Sequence, residues 1–312
     1  MLKRLVVLAM VPMALLPPTP FMHAQTASTN ASGGAQSHNK WNNVPPPNRS
    51  AYANKKSAPA PRRDLSGIWD GLTEGGTQAK GALEYPAVLK DHPADELGGQ
   101  PDESRIPRQL PYTPAGLAAL KTHKVTVGVR AVDPSSTNDP VHICDPEGFP
   151  SMDLHEFKVI QFVQTTNEVI MINQFNSRAR TIWADGRELP NPKDVEPRWY
   201  GYSTGRWVDD YTFVVETVGM DERTWLDHAG RPHSDELKVE ERFHRVDSDR
   251  LELTLTIDDP KFYTQPWIAL NKFVLHRLPD DFDRMELFCA PSENAAYNDF
   301  VSDPVSNVTP QK

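Results

Sequence analysis

The sequence predicts a mainly β protein, an antiparallel meander that is barrel-like and carries one short helix. Three observations predict it. Segments of β-branched and aromatic residues recur from residue 157 onward, turn residues separate them, and residues 251–258 alternate apolar and polar side chains with a period of two. A two-sheet β-sandwich is the alternative that the same strands allow.

At the N-terminus, Lys3 and Arg4 precede an apolar stretch over residues 5–16 and a proline-rich approach to Ala24. This is the build of a secretory signal peptide cleaved after Ala24, with a periplasmic or secreted product. The apolar stretch is short and interrupted by Pro12, Pro17 and Pro18, so no stable membrane insertion is expected. Residues 25–63 carry Lys40, Arg49, Lys55, Lys56, Arg62 and Arg63 without one acid, among Pro, Ser and Asn. That composition has too little apolar surface to offset chain entropy and reads as a disordered basic linker. Residues 64–312 then form a single β domain. Setting aside the leader's two and the linker's six cations, the net charge of −9 becomes −17 for that body. Such a surface repels phosphates, so nucleic acid is not an expected partner.

The body opens on a short strand-like piece with Gly67-x-Trp69. Thr113 as cap, Pro114 in the first helical position and Tyr112 stapled onto Leu117 predict a helix running to about His123. Strands are expected over residues 157–164, 168–174, 178–183, 206–208, 211–218, 237–246, 251–258, 267–276 and 285–289. Short links between most of them predict antiparallel neighbours. In the strand before residues 251–258, Val239 and Phe243 must face the core. Glu240, Arg242 and His244 then share the outer face with Glu252, Thr254 and Thr256.

Cys144 and Cys289 are the two cysteines of the chain, and in an exported protein they are expected to pair as a disulfide. The longest polar interruption, residues 221–236, is the expected site. Within it, Asp227 orienting His233 would make an acid–base pair, with Trp225 as an apolar wall and Arg231 as an anion contact. Trp199, Tyr202 and Trp207 concentrate upstream and would line a pocket for a flat or apolar ligand, although core packing explains them equally well. A metal site built on His228, His233 and Asp227 or Glu236 matches no standard spacing, and a cluster of His142, Cys144 and His155 loses its thiolate if Cys144 is oxidised. No metal or cofactor is therefore expected. GxSxG, a phosphate-cradling glycine loop and a dinucleotide fingerprint are all missing from the sequence, which leaves serine hydrolase, kinase and dehydrogenase chemistry unsupported.

The run from Cys144-Asp145-Pro146-Glu147-Gly148 through Asp185-Gly186-Arg187, Gly205-Arg206-Trp207, Thr224-Trp225-Leu226-Asp227, Pro232-His233-Ser234, Glu241-Arg242-Phe243 and Asp259-Pro260 resembles a widespread family of exported bacterial proteins without an assigned function. Members of that family place an arginine where this chain has Ser151. The resemblance implies export and a shared β scaffold. The Gly-x-Trp opening is also similar to that of lipocalin-type (calycin) barrels, which hold small hydrophobic ligands.

These readings converge on an exported barrel that takes in a small, partly apolar or aromatic molecule. His233 and Asp227 would supply cofactor-independent acid–base chemistry of a lyase, isomerase or hydrolase type. The competing expectation is a non-catalytic carrier or envelope-associated binding module.

Overall fold

The computed structural model describes residues 57–71, 110–126, 131–154, 159–227, 229–284 and 286–302. The expected leader and most of the expected linker lie outside them. Nine strands close into one barrel in sequence order: β1 (Gly67–Asp70), β2 (Ile160–Gln164), β3 (Glu168–Asn173), β4 (Ala179–Trp183), β5 (Tyr202–Trp207), β6 (Thr212–Val218), β7 (Lys238–Arg245), β8 (Arg250–Asp258) and β9 (Trp267–Arg277). Closure comes from β1, which pairs with both β2 and β9 and so leaves no free sheet edge. The sandwich alternative is thereby replaced by a barrel.

Pairing departs from the expectation at one place. β4 and β5 run parallel, in register Ile182↔Ser203 and Trp183↔Thr204, because residues 184–201 carry the chain back along the barrel before β5 begins. In place of the strand expected over residues 285–289, the described residues form a single bridge from Leu287 to Phe175 and do not join the barrel.

The period-two pattern sets the interior. Leu251, Leu253, Leu255 and Ile257 are fully buried, and on β7 Val239 and Phe243 face them in the expected register. Arg242 and His244 are exposed, and Glu240, Glu252, Thr254 and Thr256 half-buried, on the outer face. Phe162 meets Phe243 edge to face at 5.2 Å between ring centres. Burying each such side chain contributes about 1.5–3 kcal/mol.

The two ends of the barrel differ. At the hairpin end, residues 165–167, 208–211 and 246–249 join strands by tight turns. Trp69 of the Gly-x-Trp opening is buried there, its indole Nε1 donating to the Leu65 carbonyl at 3.1 Å, with the Arg245 guanidinium 4.6 Å above its ring. Residues 57–63, expected as linker, dock at this end: Arg63 N donates to the Asp210 carbonyl at 2.7 Å and Ser57 Oγ to Asp249 at 2.5 Å.

The loop end gathers the long connections, residues 174–178, 219–237 and 259–266, and the link from β1 to β2. Helix α1 (Pro114–Thr122) begins as expected, with Thr113 extended and its hydroxyl accepting from Gly116 N at 3.1 Å. Tyr112 packs on Tyr263 at 5.2 Å while Leu117 is exposed, so α1 is fixed to the 259–266 connection rather than through a staple. Two further short helices, α2 (Ser151–Leu154) and α3 (Pro291–Tyr297), extend the helical content beyond the single one expected. The expected disulfide forms between Cys144 and Cys289, 145 residues apart, and ties the segment ahead of α2 to the C-terminal tail.

Candidate functional site

Strand phase puts charge inside the barrel near its loop end. β7 points Val239, Glu241 and Phe243 inward in alternation, and β4 does the same with Arg180 and Ile182. All five are buried, Glu241 at 0% exposure and Arg180 at 2%. Arg180 closes a two-point fork on Glu241, Nη1 to Oε1 at 3.0 Å and Nη2 to Oε2 at 2.6 Å. It also donates from Nε to Ser203 Oγ at 3.1 Å and from Nη2 to Thr217 Oγ1 at 2.7 Å. One arginine on β4 thus reaches β5, β6 and β7. Charge-assisted, two-point bonds of this kind are the strong class of hydrogen bond.

Above this cluster the segment 147–154 folds into the barrel mouth as a plug. Gly148 turns it at φ +76°, where a Cβ would sit 2.3 Å from the Thr224 methyl group, so only glycine fits. Phe149 N donates to the Trp199 carbonyl at 2.9 Å, and the Phe149 ring lies 3.7 Å under the Arg180 guanidinium. The last turn of the plug, α2, delivers Asp153 to the interior at 0% exposure. No N–H or hydroxyl among the described residues donates to either carboxyl oxygen of Asp153, whose side-chain hydrogen bond is an acid–acid one with Glu241. Burial pushes the Asp153 carboxyl well above the usual carboxylate range, and the charge of Glu241 adds to the shift against the opposing pull of Arg180. The shift favours the uncharged acid form of Asp153 beside Glu241. Glu147, 5% exposed, closes the acidic side, and together with burial it helps push the Tyr200 hydroxyl up to about 12.

The 221–236 loop lies at the same end, yet its side chains are arranged differently from the expectation. Asp227 binds Arg231 Nη1 through Oδ2 at 2.6 Å and accepts from the amides of Ala229 and Arg231 through Oδ1. The His233 ring meets Thr224 Oγ1 at 2.7 Å through Nε2 and the Ser234 carbonyl at 3.2 Å through Nδ1. A carbonyl can only accept, which favours the ring hydrogen on Nδ1, and the single hydroxyl hydrogen of Thr224 is shared between Nε2 and the Asp221 carbonyl 2.9 Å away. Burial holds His233 below its ordinary value, the reverse of the rise toward neutrality that a carboxylate partner would give. The acid–base pair expected of Asp227 and His233 is thus replaced by two separate buried contacts. Ser234 adds a third, donating from N and Oγ to the Asp259 carboxylate at 2.7 Å each. The loop is a strap held by its own polar groups, because residues enclosed by barrel, α1 and plug must satisfy their hydrogen bonds internally.

The aromatic residues expected to share a pocket are dispersed. Trp225 is buried and stacks on His123 at 4.5 Å. Trp199 lies in the connection before β5 under Arg223, and Tyr202 projects outward beneath Arg198, its hydroxyl donating to the Glu196 carbonyl. Trp207 points inward at the hairpin end against Phe213, roughly 17 Å along β5 from Tyr202 at the usual strand rise. His228 and His155, named in the two metal readings, lie outside the described residues, and Cys144 is oxidised.

Arg180, Glu241 and Asp153 were not among the expected site residues. The available signal was a charge in the core-facing phase of a strand, as at Glu241 between Val239 and Phe243. Compared with protein-family models, curated proteins and solved structures, the chain gives no match.

Proposed function

We propose that the chain is an exported small-molecule-binding barrel whose ligand site lies beneath the plug, around Asp153, Glu241 and Arg180. The observation that carries this reading is the Asp153 carboxyl, fully enclosed yet reached by no N–H or hydroxyl donor among the described residues, its contact being the Glu241 carboxyl. Nearly all buried polar groups in folded proteins are satisfied, and one that is not costs about 1–3 kcal/mol. Toward the hairpin end the interior is filled by the leucine ladder of β8 and by Phe162, Phe243 and Trp69, with the Arg245 guanidinium over the Trp69 ring. This argues for a compact ligand at the polar end and against a long apolar one along the axis. Export is part of the proposal, supported by the leader-like N-terminus and by a disulfide, which persists in oxidising compartments.

A second reading, catalysis without a cofactor, rests on the same residues. Two buried carboxyl groups, with Asp153 pushed toward its uncharged form and hydrogen-bonded to Glu241, are the kind of pair that lyase, isomerase and hydrolase steps use. Native mass spectrometry of the mature protein, before and after mild denaturation, tests the binding reading. A bound species released on unfolding supports it, and an empty protein counts against it. Turnover of that species, lost in Asp153→Asn, would establish the catalytic one.

A further inference from the structure

Resting on the reading that the plugged end is a ligand site, we propose that the site takes a small organic cation, a primary ammonium or amidinium on a compact apolar body, with the Asp153 carboxylate as its counter-ion. The charged groups that act on Asp153 are the acids Glu241, on β7, and Glu147, on the plug, and the cation Arg180, on β4. Both guanidinium nitrogens at the fork are already on Glu241, and Arg180 Nε is on Ser203. A carboxylate or phosphate ligand would therefore meet acids and no uncommitted donor. A purely apolar ligand would bring no donor to the Asp153–Glu241 acid pair.

An ammonium group meets each requirement at once. It brings N–H donors to two oxygens that lack them, and a positive charge to a place where a second carboxylate lacks its own cation. An inorganic cation fits less well, because among the described residues no three His, Cys, Asp or Glu side chains are grouped to hold a metal ion. The apolar body has Phe149 and Met171 of the same core cluster as neighbours. Because Asp153 is fully enclosed, the 147–154 segment must lift to admit the ligand.

The protonation balance follows from the free state. We assign one proton to Asp153 before binding, shared with Glu241 through their hydrogen bond, the form that burial favours. When the ammonium enters, that O–H bond breaks, the proton leaves to solvent, and the ligand N–H donates to the resulting carboxylate. Each ligand bound as a cation therefore releases one proton.

The test is a calorimetric titration of the mature protein with benzylamine and butylamine, against benzyl alcohol and butanol as neutral counterparts. Each is run in two buffers of different ionisation enthalpy. The expected result is binding by the amines alone, with heats that differ between buffers by one released proton. In Asp153→Asn the affinity should fall by roughly tenfold or more, and the buffer dependence should vanish. If that variant does not fold, the buffer comparison on the unaltered protein still decides. Neutral analogues binding as well as the amines, or amines binding without proton release, would overturn the cation proposal and leave the ligand site standing. No binding by either class also overturns it, and if native mass spectrometry then finds the protein empty, the ligand-site reading falls with it.

Discussion

Asp153 and Glu241 meet inside the barrel from a plug and from a strand, and one guanidinium serves them unequally: Arg180 closes on Glu241 and leaves Asp153 with the Glu241 carboxyl and no N–H donor. Glu241 is stabilised in place. Asp153 is a cost to the fold, and the predictions begin there.

Replacing Asp153 by Leu removes from the core a carboxyl that no N–H or hydroxyl reaches and keeps most of the volume. The ligand-free protein should gain about 1–3 kcal/mol, read as a rise in the urea midpoint at unchanged slope. Loss of stability would mean that Asp153 serves the scaffold.

Arg180→Met should do the opposite, because it strands the Glu241 carboxylate in the interior. A loss of about 3–5 kcal/mol is expected for the single change, and recovery of most of it in Arg180→Met with Glu241→Met, where both partners are apolar. If the double variant is no better than the single one, the pair is not the unit described.

Two buried groups should tilt the stability profile in opposite directions with pH. His233 is held below its ordinary 6.5, so the unfolded chain takes up a proton there before the fold does. Its contribution is complete above that value and is lost as pH falls through the lower folded value. His233→Gln should therefore lose less stability than the parent between pH 7.5 and pH 5 (values on the order of those that bracket a free imidazole). Asp153 is held above its ordinary 3.8, so its contribution is complete below that value and is lost as pH rises toward the folded one. Asp153→Asn should gain on the parent as pH rises. Urea unfolding series for the three proteins check both slopes.

Removing the disulfide with Cys144→Ser and Cys289→Ser frees a crosslink that spans 145 residues. Loop-closure entropy sets a ceiling of about 5 kcal/mol on the loss. The tail keeps the Leu287 bridge to Phe175 and the bond from Cys289 N to Asn176 Oδ1, a contact at residue 289 that needs no sulfur. Hydrogen exchange should therefore rise first in residues 290–300 and 139–147, with the barrel strands protected. Uniform loss of protection would show that the crosslink stabilises the whole domain.

The β8 ladder was legible because Leu251 to Ile257 alternate without interruption and only one register buries them all. The helix start was legible from Thr113 and Pro114, whose chemistry is local. What escaped depends on chain ends that are distant in sequence. Glu241 sits in the inward phase of a strand whose other members are apolar or capped at the hairpin end. Period alone locates it in the core, but its partner Arg180 lies three strands back. Asp227 and His233 misled for the converse reason: nearness in sequence suggested a pair, and the enclosure of the loop gave each a different partner.

The parallel contact of β4 with β5 has a consequence in parity. Around a closed ring, strand direction can alternate without fault only if the number of strands is even, and this ring has nine. One like-directed pair is obligatory, wherever it falls. In this chain it falls beside Arg180, whose Nε crosses it to Ser203, so the one topological fault of the ring and the polar interior share a wall. No array of repeated two-strand hairpins alone can generate such a ring; a lone strand must be added or lost, and β1, the shortest of the nine, is the odd member by length.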